Sequence, residues 1–234
     1  MARPITSLVL ALALVACSDE PSAPPALPGE APAAEASEGV AAALEIPADA
    51  PRVLVLGDSI AAGLHLSIDQ AFPTELQRIL FERGVPFQLT NAGVSGDTSA
   101  GGLARVDWIL RSAPDVVIVE LGANDGLRGQ PPEAIEQNLR AAIEKLRAGG
   151  AKVLLLGLRM PPSLGPDYAE AFDAVYPRVA EALDVPFVPF FMEGVAGVPE
   201  LNLGDGIHPT PEGHRILARN VAPALEQLLG TIER

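Results

Sequence analysis

The chain has 234 residues and a mass of 24.3 kDa, enough for one domain with a sizeable core and an appendage. Apolar residues make up 48% and aromatics only 4%, so aliphatic side chains have to fill that core. A net charge of −14 argues against a nucleic-acid partner, because polyanions are held by basic surfaces.

Residues 1–16 place Arg3 before an apolar run from Ile5 to Val15 that is too short to span a bilayer and lies where an export signal carries its apolar region. The run ends in Leu14-Val15-Ala16-Cys17, which resembles the lipobox of bacterial lipoproteins, where the signal is removed and the cysteine is lipidated. Cys17 is the only cysteine, so no disulfide can form within the chain. Stable anchoring needs more than one acyl chain, which that modification supplies. By the lipoprotein pattern, Ser18 after the cysteine implies an outer-membrane anchor and an enzyme domain in the periplasm. Residues 17–50, rich in alanine, proline and acids, lack the bulk to offset the entropy of ordering and read as a disordered tether. A pro-segment is the alternative. The folded domain is expected over 51–234.

From Arg52 onward, short apolar runs alternate with helical patterns. Strands are expected near 52–57, 86–91, 115–121, 151–157 and 186–190, and helices near 59–82, 99–112, 131–148, 167–183 and 210–229. Such alternation is the signature of an α/β fold, a parallel sheet of about five strands with helices on both faces. Right-handed crossovers then give a three-layer α/β/α sandwich with a flavodoxin-like strand order, whose ligands sit beyond the carboxyl ends of the strands.

Four stretches fall on that edge. The first strand ends at Gly57 and delivers Asp58 and Ser59 into a helix start, where free N–H groups and a helix dipole would favour developing negative charge. Taken alone, Asp58 or Ser59 is an ordinary helix cap. The second strand runs into Asn91-Ala92-Gly93-Val94-Ser95-Gly96-Asp97-Thr98-Ser99. Gly93 can bring its N–H close to a substrate, whereas Ser95, Asp97, Thr98 and Ser99 read as turn and capping residues. Neither G-x-G-x-x-G nor a P-loop lysine is present, which disfavours a nucleotide. The third strand ends in Gly122-Ala123-Asn124-Asp125-Gly126, where Asn124 is either a turn residue or an amide donor to an oxyanion. Near the carboxyl end, Asp205 and His208 stand three apart in a glycine-rich loop, so the carboxylate can reach one imidazole nitrogen and leave the other facing a serine. His65 and His214 fall within the first and last helix patterns and read as surface or structural. A metal site would need more ligands than these, and no metal or cofactor is expected.

Gly-Asp-Ser-Ile with Ser59, the Gly93 segment, Gly-Ala-Asn-Asp with Asn124, and Asp-Gly-Ile-His-Pro with Asp205 and His208 resemble the four blocks of the SGNH (GDSL) hydrolases. Glu120 to Gly129 and Pro189-Phe-Phe-Met-Glu193 are similar to the bacterial periplasmic acyl-CoA thioesterase, lysophospholipase and arylesterase branch, and the likeness runs from about Arg52 to Leu229. It departs at Ile60, where the family has leucine. The resemblance implies Ser59 as nucleophile, His208 as general base oriented by Asp205, and an oxyanion hole from the N–H of Ser59, that of Gly93 and the side chain of Asn124. It also implies that the loop 159–166 borders the acyl chain and moves over it, against the plain reading of a rigid proline-rich connection. The expected function is a serine esterase acting on small-molecule carboxylic esters and thioesters. A carbohydrate acetylesterase of the same fold and a non-catalytic ligand-binding lipoprotein remain the alternatives.

Overall fold

The computed structural model describes residues 44–232, so the export signal, Cys17 and most of the expected tether lie outside the described residues. β1 (Arg52–Gly57) is followed by α1 (Ser59–Ala62) and α2 (Phe72–Glu82), then β2 (Gln88–Asn91), α3 (Ser99–Ala104) and α4 (Val106–Leu110). β3 (Val116–Glu120) leads into α5 (Ala123–Leu127) and α6 (Pro132–Ala148), and β4 (Lys152–Leu156) into α7 (Pro166–Asp173) and α8 (Val175–Leu183). β5 (Phe187–Val188) and α9 (Pro211–Leu229) complete the chain order.

All strand pairs are parallel, in the order β2-β1-β3-β4-β5, the flavodoxin-like arrangement expected from the sequence. β3 is buried at every position and β1 at all but Arg52, which is why both are aliphatic runs without alternation. α2 and α9 pack on each other as one helical layer. α6 packs against α3, α4 and α8 as the other. Among the described residues, no helix is long and apolar enough to cross a membrane.

The expected helix over 59–82 is instead two helices. Gly63 and His65 both have φ 68, a left-handed conformation that ends α1 after one turn, and a 3₁₀ turn at Ile68–Gln70 leads to Pro73, in the first turn of α2. The 99–112 and 167–183 patterns divide in the same way, at Arg105 and Ala174, and the short α5 was not expected. β5 is only two residues long. Residues 44–50, expected as tether, form turns against the sheet: Ala50 is buried, and Gln88 Nε2 donates to the carbonyl of Ala48 at 2.7 Å.

His214 joins the α2–α9 layer. Its Nδ1 accepts the N–H of Phe72 at 3.1 Å, one of the first-turn donors that a helix leaves without an internal partner, and its ring stacks on the Phe72 ring. Accepting at Nδ1 requires the neutral imidazole; burial, and then the neighbouring His208, lower its pKa to about 4. Since the folded pKa lies below the unfolded value, this stabilisation is complete above about pH 6.5 and is lost as pH falls toward 4, an effect of about 3 kcal/mol. We expect His214→Leu to lower the urea midpoint at pH 7 and to flatten the decline between pH 6.5 and 4. A variant as pH-sensitive as the parent over that range would exclude His214 as the cause.

Candidate active site

Three strand ends and one loop meet at the carboxyl edge of the sheet. At the end of β1, a Cβ on Gly57 would lie 2.5 Å from Ala61 Cβ and 2.6 Å from Glu120 Oε2, so only glycine permits the turn. Asp58 Oδ1 then accepts the N–H of Ile60 at 2.9 Å and caps α1, leaving Ser59 at its head, 8% exposed. α1 has only four residues, too few for a substantial helix dipole; what the turn supplies is the orientation of Ser59.

His208 arrives on the loop before α9. That loop is pinned by a bridge between Asn202 and Pro209, by the Leu203 N–H on the His208 carbonyl at 2.7 Å, and by the Asn202 side chain on the carbonyls of Val195 and Val198. Within it Asp205 Oδ1 accepts the N–H groups of Ile207 and His208, both at 3.0 Å, and Oδ2 lies 2.7 Å from His208 Nδ1. These backbone bonds and the imidazole hold the Asp205 carboxyl well below the usual carboxylate range. A carboxylate only accepts, so Nδ1 carries the proton and Nε2 is the free base. Nε2 is 2.9 Å from Ser59 Oγ, across 149 residues of chain. A serine, a base and a carboxylate in this order can generate an oxygen nucleophile and hold the proton it releases. His65, expected inside a helix, instead stands in the break after α1 with its ring edge-on to His208, the centroids 6.4 Å apart.

Asn124 lies in the first turn of α5, and its Nδ2 donates to Asp58 Oδ2 at 3.1 Å. Asp58, Ser59, Asn124 and His208 line a single recess of about 70 Å³. Gly93 is placed differently from the expectation. Its N–H is taken by Asn91 Oδ1 at 3.0 Å, and a Cβ there would lie 2.4 Å from the Ala62 backbone nitrogen, so this glycine serves close packing against the end of α1. Within the same loop, the N–H groups of Ser95 and Gly96 are without a hydrogen-bond partner among the described residues.

Several residues that shape the site gave no sequence signal. Arg105 donates to the carbonyls of Ala92 at 2.6 Å and Gly57 at 3.0 Å and pairs with Asp97 at 2.8 Å, tying together the ends of β1 and β2. Asn91 Nδ2 reaches the Ala61 carbonyl at 2.7 Å. Asp125 receives the N–H and hydroxyl of Ser99, which docks α3 beside α5. The one available hint was their position in or beside the polar segments after β2 and β3.

From the recess a groove of about 430 Å³ continues between Ile60, Leu127, Leu158, Met160, Phe190 and Met192. Ile60, Ala123, Leu127 and Ile207 line both spaces, so the apolar groove opens directly beside Ser59. The segment 159–161 forms part of its wall: the Arg159 guanidinium lies over the Phe190 ring at 4.9 Å, and the Met160 N–H donates to Asp173 Oδ1 at 2.9 Å.

Residues 55–216 match the model of the GDSL-like lipase/acylhydrolase family. The protein named Esterase TesA of Pseudomonas aeruginosa is 49% identical over 183 residues, which cover 78% of this chain and 91% of that protein. The Escherichia coli protein named Thioesterase 1/protease 1/lysophospholipase L1 is 42% identical over 78% of this chain and 86% of that protein. A crystal structure of TesA superposes with a TM-score of 0.73 at 48% identity, covering 75% of this chain and 98% of that one.

If Ser59 and His208 work as one unit, Ser59→Ala and His208→Ala each lower kcat by about a millionfold and their combination costs little more. Single-turnover and steady-state rates of the three variants check this; a folded single variant retaining several per cent of the activity would break the assignment.

Proposed function

Because the chain belongs to the GDSL-like lipase/acylhydrolase family and is a serine hydrolase of ester bonds, we propose that it cleaves carboxylic esters and thioesters of linear acyl chains through an acyl-enzyme on Ser59. The observation that carries this reading is the unbroken hydrogen-bonded series Asp205–His208–Ser59 opening straight into an apolar groove. Ser59 Oγ attacks the acyl carbon while His208 Nε2 takes its proton, and the carbonyl oxygen becomes an oxyanion. Collapse expels the alcohol or thiol, which leaves with the proton from the imidazolium. Water, deprotonated by the same Nε2, then attacks the acyl-enzyme and releases the acid. Asp205 fixes the Nδ1–H tautomer and stabilises the imidazolium.

The Ser59 N–H and the Asn124 amide are the proposed oxyanion donors. A third donor, the Gly93 N–H, would share its hydrogen with Asn91 Oδ1, which accepts it at 3.0 Å. A groove walled by Leu127, Leu158, Met160 and Phe190 suits an alkyl chain and gives an acetylated sugar little to bond, which favours acyl esters over carbohydrate acetates.

Exposed Ala196 also lines the groove, and Ala196→Trp fills it without disturbing the core. We expect kcat/KM for a decanoyl aryl ester or thioester to fall at least about tenfold while that for the acetyl ester stays near the parent value. Equal losses on both would remove the groove as the acyl site.

We propose further that Cys17 is lipidated after export and that the residues following it tether the domain to a bacterial outer membrane, a reading supported by Leu14-Val15-Ala16-Cys17. Cys17→Ser then moves the protein out of the membrane fraction, or leaves an uncleaved precursor, while purified enzyme keeps its kcat. Membrane association equal to that of the parent chain would show that the cysteine anchors nothing.

A further inference from the structure

Behind Ser59 lie two carboxyl groups for which the hydrolysis described above has no use. Asp58 and Glu120 are both fully buried, and no cation forms an ion pair with either among the described residues. Glu120 closes β3 directly opposite Gly57. Its Oε2 accepts the Asp58 N–H at 3.1 Å, while its Oε1 has no partner. Asp58 is better supplied: Oδ1 takes the Ile60 N–H and Oδ2 takes Asn124 Nδ2.

Two carboxyls this close in a buried site cannot both be ionised, so the pair keeps one proton. The charge falls to the member with more donors, Asp58, and Glu120 is neutral. Burial pushes the Asp58 carboxyl up to about 6 and the Glu120 carboxyl, with Asp58 beside it, well above its usual range. The groups facing the pair are His208 from the loop before α9, Asp97 from the loop after β2, paired with Arg105 of the α3–α4 junction, and Tyr176 of α8, whose hydroxyl donates to the Leu121 carbonyl.

We propose that Asp58 is a positioning residue for the ester hydrolysis: as the ionised member of this one-proton pair, it accepts one Asn124 N–H and so turns the amide's second N–H into the recess shared by Ser59 and His208. The inference rests on the reading of Asn124 as an oxyanion donor. A carboxylate can only accept, and it therefore draws the nitrogen of the amide rather than its oxygen. A protonated Asp58, or an asparagine at that position, offers a donor instead, and Asn124 then turns its oxygen inward and withdraws the N–H from the recess. Glu120 keeps the proton that Asp58 must not hold.

A double-mutant cycle on the full chain tests this, with kcat and KM measured on a water-soluble acyl ester and folding checked by the urea midpoint. Asn124→Ala is expected to lower kcat about 100- to 1,000-fold. Asp58→Asn should lower it about 10- to 100-fold with KM within about threefold, and should add almost nothing in the Asn124→Ala background. A large Asn124→Ala effect with fully additive losses, or with no Asp58→Asn loss, overturns the positioning role alone; an Asn124→Ala variant with near-parental kcat overturns the oxyanion reading beneath it. Glu120→Gln provides the test if Asp58→Asn does not fold. It keeps an acceptor for the Asp58 N–H and is uncharged like the neutral acid it replaces, so kcat at pH 8 should stay within about threefold and the acid limb of the pH profile within about 0.3 pH unit of the parent. An acid limb that moves down by about a pH unit or more would mean that Glu120 carried charge and overturns the one-proton pair.

Discussion

The pairing of Gly57 with Glu120 at the level ends of β1 and β3 is the constraint from which the site follows. Because the two central strands stop together, the residues that continue each one emerge side by side: Asp58 and Ser59 from the first, Leu121 to Asn124 from the second. The contact is too close for any side chain at position 57, and the glycine lets the Glu120 carboxyl lie against the turn that carries Ser59. One register thus sets the spacing of Ser59, Asp58 and Asn124. The loop before α9 adds the remainder, held by the bridge between Asn202 and Pro209 so that a base 149 residues away meets the serine at hydrogen-bond distance.

The architecture was legible because it is written in apolar periodicity. All five strands and their order agree with the alternation of aliphatic runs and helical patterns, and Ser59, Asn124, Asp205 and His208 stand in polar segments at the ends those strands predict. The breaks were not legible, since a helix that stops at Gly63 and restarts at Phe72 keeps enough apolar spacing to look continuous. Gly93 illustrates a deeper limit. A glycine beside a site can serve a ligand or a neighbouring backbone, and only the position of the Ala62 nitrogen and the Asn91 side chain decides between them. Arg105 and Glu120 were missed for a related reason: their roles consist entirely of partners far away in sequence, such as the Gly57 carbonyl and the Asp58 N–H.

Buried titratable groups make opposite demands near neutral pH. His214 must remain uncharged to accept from Phe72, and the fold gains from it as pH rises through the range between 4 and 6.5. Asp58 has its carboxyl raised by burial to about 6, so the fold loses stability as pH rises from about 4 to about 6, where the unfolded chain ionises first. The two contributions oppose one another over the same interval. The stability of the domain is therefore less sensitive to mild acid than either group alone would make it.

The turn at residues 47–50 lies at the opposite pole of the sheet from Ser59, packed beside Gln88 where β2 begins. A parallel sheet has a rear and a front, and here the chain enters at the rear while the chemistry opens at the front. A substitution in that turn therefore acts on the starting ends of β1 and β2, a full strand length away from the edge where Ser59 stands. The two ends of the sheet can thus be altered independently, the rear through Ala48, Ala50 and Gln88 and the front through Gly57 and Glu120.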